Sequence, residues 1–111
     1  MNSLQKSPPQ WENLRTQQSR MVEDELGREF QEVDAYRYNP ASIRVHIQDE
    51  RFRGMSMDDR DDLVEPYLDR LPEEIRKDIV NLVLTHPGEE EESTRARILL
   101  LEFEDYSPSM L

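Results

Sequence analysis

From Ser42 to Gln48 apolar and polar residues alternate without a break, Ile43, Val45 and Ile47 against Arg44, His46 and Gln48. A period of two places one set of side chains on each face of a strand, so this segment has an apolar face to bury. The residues after it determine how that face is covered. Gly54 supplies the backbone freedom for a sharp turn, and Ser56 is a helix N-cap with Asp59 as the acidic half of a capping box. Leu63, Val64, Tyr67, Leu68 and Leu71 then recur at helical spacing. A strand that runs into an amphipathic helix is a two-layer unit, in which the helix covers the strand's apolar face. Phe52 is placed to plug the end of the sheet, and Arg60 lies one turn inside the helix. Pro66 removes a helix hydrogen bond, which predicts a kink or split near residues 62–65.

The flanking sequence supplies the other elements. Ser7-Pro8-Pro9-Gln10 reads as a helix start, with Trp11, Leu14, Met21, Val22 and Leu26 near one stripe, Gln18 interrupting it and Gly27 as a stop. Trp11 is expected to be a core anchor. Residues 30–38 favour a strand, with Val33 and Ala35 on one face and Tyr36 and Tyr38 on the other, and Asn39-Pro40 marks a turn to the clearer strand. Beyond Leu71, Pro72-Glu73-Glu74 opens a third helix, favoured to run to about His86. The competing reading ends that helix early and makes residues 79–85 a strand, which their β-branched content permits. Glu89 to Glu92 reads as a solvated acidic loop, and residues 97–106 as a strand, with Ala96, Leu99, Leu100 and Phe103 keeping a helix open. The expectation is an α+β fold of two layers, a three-stranded mixed sheet with helices on one face, in the order α-β-β-α-α-β. The last strand has to pair non-locally with one of the first two. Residues 9–106 form this single domain between flexible ends at 1–8 and 107–111.

Composition closes off several function classes. A chain of 111 residues with 35% hydrophobic content can build one core but not two. It has no cysteine, so disulfides, thiol nucleophiles and thiolate-held metal sites are out of reach. The net charge of -11 disfavours a general affinity for nucleic acid or anionic membranes. Arg44, Arg51, Arg53 and Arg60 are the one basic cluster. The polar start of the chain lacks the apolar core of a secretory signal and no run is long enough to span a bilayer, so the cytoplasm is the expected location. Asp58-Asp59-Arg60-Asp61-Asp62 formally fits an aspartate-rich magnesium pattern, but the chain lacks a second motif and room for a large cavity. Nucleophile elbows and phosphate-binding glycine loops are absent, and with them a candidate for catalysis. No enzymatic activity and no cofactor are expected.

The segment from Phe52 to Val64, with phenylalanine, any residue, glycine, then a serine-capped helix carrying arginine and an apolar pair, resembles the signature of the BolA family. Ser42 to Ile47 resembles that family's second strand, and the element order is similar as well. The resemblance implies a fold related to the class II KH domain and a non-enzymatic adaptor or regulator that engages a protein partner, such as a monothiol glutaredoxin. It points to Arg44, His46, Arg51, Phe52, Arg53, Gly54 and Arg60 as the partner-binding region. The sequence departs from the family at its histidines. Asp61 follows Arg60 where a histidine is usual, and the histidine that begins the family's last strand, an iron-sulfur ligand, is replaced by Val80 or by Ile98 or a neighbour, depending on where that strand lies. His46 and His86 fall elsewhere and read as surface histidines.

Two alternatives accompany the adaptor. One is a nucleic-acid-binding regulator on the KH-like scaffold, although Gly54 is followed by Met55-Ser56-Met57 and the Gly-x-x-Gly loop is missing. The other is an acidic chaperone or self-associating scaffold that uses a sheet edge and the stripe from Ile98 to Leu101.

Overall fold

The computed structural model describes residues 10–107. Three strands, β1 (Glu32–Asn39), β2 (Ser42–Gln48) and β3 (Ile79–Thr85), form one sheet in the order β1-β2-β3. β1 and β2 pair antiparallel through a tight turn, in which the Asn39 side chain accepts from the Ala41 N–H at 2.8 Å. β2 and β3 pair parallel, with Val45 opposite Leu82 and Ile47 opposite Leu84. The crossover between them carries α2 (Met57–Leu68) and α3 (Glu73–Arg76), while α1 (Gln17–Leu26) precedes the sheet and α4 (Glu89–Glu92) and α5 (Thr94–Glu104) come after it. The α+β class, the three-stranded mixed sheet and the order helix-strand-strand-helix-helix-strand up to β3 are therefore those read from the sequence, with α4 and α5 added after it.

One face of the sheet meets α1 and α2. Val22 and Leu26, Val64 and Leu68, and Ala35, Ile43, Val45 and Ile47 form one buried cluster, closed at its ends by Phe30, Phe52, Leu71 and Ile75. The helices do not keep to one face as expected, because Tyr36 and Val83 make the opposite face apolar as well, and it is covered too. α5 brings Phe103 onto Tyr36 and Val83, and Trp11 stacks on Tyr36 with ring centroids 5.5 Å apart. The Tyr36 hydroxyl donates to the Phe103 carbonyl and the Tyr38 hydroxyl to that of Ser107, fastening the end of α5 to β1.

Several local expectations change, each for a reason visible in the packing. The third helix stops at Arg76 instead of reaching His86, and residues 79–85 form the strand of the competing reading. Leu82 and Leu84 pack on the α1–α2 side while Val83 packs under α5. A strand covered on both faces loses its alternation and reads as a continuous apolar run. With three strand positions filled, residues 97–106 are not a strand. They lie mostly in α5, whose Ser93 cap accepts from the Ala96 N–H at 3.1 Å and whose Ala96, Leu99, Leu100 and Phe103 make the inward stripe.

The first helix is also divided. Gln10–Leu14 is a 3₁₀ turn, and a capping box between Thr16 and Ser19 starts α1 afresh, so Trp11 and Val22 serve opposite faces of the sheet. Met21 points outward. The start expected at residues 7–9 lies outside the described residues, as do the flanks at 1–8 and 108–111. Pro66 neither splits nor ends α2 at residues 62–65. It falls in the last turn, where the hydrogen bond it forgoes is that to the carbonyl of exposed Asp62. Glu89 to Glu92 is a helical turn instead of a solvated loop, entered through Gly88 at φ 79°.

Candidate functional site

The turn after β2 is built from the inside. Asp49 accepts from the backbone N–H groups of Arg51 and Gln31 and from the Arg51 guanidinium. Burial pushes its carboxyl up, but these hydrogen bonds outweigh that and hold it below the usual range. The bonded Asp49 starts a 3₁₀ turn at Glu50–Phe52 that drives Phe52 fully into the core beside Phe30. Gly54 then adopts φ 80°, left-handed backbone that only glycine enters freely. Ser56 caps α2 by accepting from the Asp59 N–H at 3.1 Å.

Arg60 turns inward and holds three segments at once. It donates to the Met55 carbonyl at 3.1 Å, the Leu84 carbonyl at 3.0 Å and Glu89 Oε1 at 2.7 Å, with only 5% of its side chain exposed. Burial raises the Glu89 carboxyl, yet the bonds from Arg60 and the His86 N–H bring it below its ordinary value. The acidic run after β3 therefore begins with the counterion of a buried arginine. His86, expected at the surface, is buried in this corner, its Nδ1 2.9 Å from the Pro87 carbonyl and its Nε2 3.4 Å from Glu92 Oε1.

The residues singled out from sequence do not converge on one surface. Phe52 and Arg60 are interior. Arg53 and Gly54 form the exposed tip, Arg53 paired with Glu50 and touching the Pro87 carbonyl at 3.3 Å. Arg51 is pinned by Asp49 and Glu29 at 3.0 and 2.9 Å. Arg44 lies on the other face, over the Tyr38 ring at 3.8 Å, and donates to the Glu102 carbonyl at 2.8 Å and to the Asp105 carbonyl. The four arginines of the basic cluster are thus separated and engaged.

His46 is not exposed between polar neighbours, because α5 covers the face of β2 on which it stands. Its ring is 5.8 Å from Phe103 and its Nε2 is 2.8 Å from Thr85 Oγ1. Burial lowers its pKa to about 4, with Glu90 pulling the other way. Across the strand pair stands Asp34, raised to about 6 by burial and by Glu32 against the attraction of Arg15, 3.2 Å away. Sequence reasoning missed this polar group because nothing in the alternation of β2 tells that a helix much later in the chain will lie on it. Among the described residues no three histidine or acidic side chains are grouped to hold a metal ion, and no helix is long and apolar enough to cross a membrane.

Set against models of known protein families, curated proteins and solved structures, the chain gives no match in any of the three.

Proposed function

We propose that this chain is a non-enzymatic, BolA-like adaptor or regulator, working in the cytoplasm and binding a protein partner through the exposed turn at Arg53 and Gly54 and the neighbouring open edge of β3. The observation that carries the reading is the strand-turn-helix unit. Phe52, Gly54, Ser56, Arg60 and Val64 keep the spacing of the resemblance, and each has a defined structural task in the turn. The order of the elements supports the same reading. β3 has a sheet neighbour on one side alone, and Val80, 67% exposed, stands near its start. A free strand edge offers backbone hydrogen bonds to a partner's extended segment.

The residues present do not fit an iron-sulfur cluster. With residues 79–85 as the last strand, Val80 stands where the resemblance implies a histidine ligand, and no cysteine is available. The proposed adaptor role therefore involves no ligand from this chain. The separated, neutralised arginines and the net charge of -11 weigh against a nucleic-acid reading.

The test is co-elution with a monothiol glutaredoxin, with and without its iron-sulfur cluster. A complex is expected in both conditions, weakened by Arg53→Glu, and absence of a complex in both removes the glutaredoxin version. Titration with single-stranded and duplex oligonucleotides at low salt provides the counter-test. Tight binding that weakens as salt rises would replace the adaptor with the KH-like alternative.

A further inference from the structure

Beneath α5 the second face of the sheet is not completely filled. A cavity of about 340 Å³ remains between the helix and the first two strands, at the lower end of the size range of small-molecule sites. Asp34 and His46 contribute to it from the sheet, Glu90 and Glu104 from the last two helices, Glu32 from the start of β1 and Trp11 from the 3₁₀ turn. Among the described residues no lysine or arginine lines it, although Arg15 pairs with two of its carboxylates, Glu12 and Asp34.

Two observations set this cavity apart from an ordinary acidic surface. Trp11 is buried, with a relative exposure of 5%, and among the described residues its Nε1–H has no hydrogen-bond partner. Buried indole N–H groups normally find an acceptor, so this one is an unsatisfied donor on a residue that lines the cavity. Glu90 also lines the cavity, and its Oε1 is likewise buried and without a partner among the described residues. Among the described residues Glu32, Glu90 and Glu104 make no ion pair, in a molecule where most arginines are engaged. The same negative excess appears in Asp34, whose carboxyl burial and Glu32 together raise despite Arg15.

The donors and acceptors lining the cavity define the ligand chemistry. Carboxylates that do not group around a metal ion suit an organic ammonium, whose three N–H donors reach separate acceptors. Arg15 and Tyr36 already lie over the Trp11 ring, so the indole's remaining contribution is its N–H, and in so acidic a cavity a neutral acceptor suits it. We infer that the cavity under α5 binds a small organic cation, an ammonium group joined to a neutral hydrogen-bond acceptor such as an amide carbonyl, with Glu32, Glu90 and Glu104 receiving the charge and Trp11 Nε1 the acceptor. That chemistry occurs both in free acylated amines and in a lysine side chain next to its own peptide bond. The site is separate from the adaptor surface and stands or falls independently of it.

Calorimetric titration of the whole chain with N-acetylputrescine and with Nα-acetyl-lysine methylamide tests the inference and distinguishes the two sources. Saturable binding of one or both is expected, accompanied by a change in the emission of Trp11, the sole tryptophan. N,N'-diacetylputrescine, which lacks the charge, should not bind. Glu90→Gln should weaken binding about tenfold through loss of a carboxylate facing the ligand, and Trp11→Phe should weaken it through loss of the indole N–H while leaving every carboxylate in place. Should Trp11→Phe fail to fold, Glu90→Gln and Glu104→Gln carry the test. No saturable binding of either amine at about 10 mM, weaker than any specific site of this kind, overturns the inference. So does binding that Glu90→Gln and Glu104→Gln both leave unchanged.

Discussion

Asp34 and His46 face each other across β1 and β2 and respond to acid in opposite senses. Between about pH 6.5 and 4 the unfolded chain binds a proton at His46 that the folded chain excludes, so this group's contribution to stability is lost as pH falls. Between about pH 6 and 3.8 the folded chain holds a proton on Asp34 that the unfolded chain releases, so that group adds stability as pH falls. In the native protein the two partly cancel. Asp34→Asn is expected to lose on the order of 2 kcal/mol between pH 7 and pH 5, and His46→Gln to gain on the order of 1 kcal/mol over the same interval. Urea unfolding of both variants at the two pH values checks the signs. Arg60 makes a sharper case, since its removal strands the Glu89 carboxylate and the Leu84 carbonyl together. Arg60→Ala should cost about 3–5 kcal/mol, the range for breaking a buried ion pair from one side. A loss below about 1 kcal/mol, the ceiling for ordinary surface pairs, would mean that the corner is solvated.

At the scale of elements the turn at Gly54 isolates one physical effect. A Cβ added there would meet no atom within 4 Å, so Gly54→Ala changes backbone preference and nothing else. With φ at 80° the cost should be about 1–2 kcal/mol, without any change in the emission of Trp11 on the far side of the sheet. The elements that sequence made legible are those whose apolar residues all lie on one face. β2 and α2 reveal themselves because Ile43, Val45 and Ile47, and then Val64 and Leu68, face a single layer. β3 and α5 do not, for opposite reasons. β3 is buried on both sides and loses its period, while the run from Ile98 to Leu101 satisfies two periods at once, so only the filled sheet decides between them. The turn was legible down to its cap, whereas the inward course of Arg60 needs Glu89, and the polar group at Asp34 and His46 needs α5. Contacts that depend on segments far apart in the chain leave no local mark.

For the molecule as a whole, the net charge of -11 on a fold with a Cα radius of gyration of 14.3 Å means that like charges crowd one another. Raising ionic strength from about 0.01 to 0.15 M shortens the screening length from about 30 to 8 Å, and the thermal midpoint should rise. A fall would mean that the ion pairs outweigh the repulsion. The clasp between β1 and α5 has a different consequence, one of timing. Tyr36 and Phe103 are 67 positions apart, and Tyr38 and Ser107 are 69. A ribosome delivers the first member of each pair several seconds before the second. During that wait α1, α2 and the sheet can assemble on one side while the aromatic side has only Trp11 over it. The nascent chain thus passes through a half-covered state, and whatever shields Tyr36 and Val83 until α5 emerges takes part in its birth.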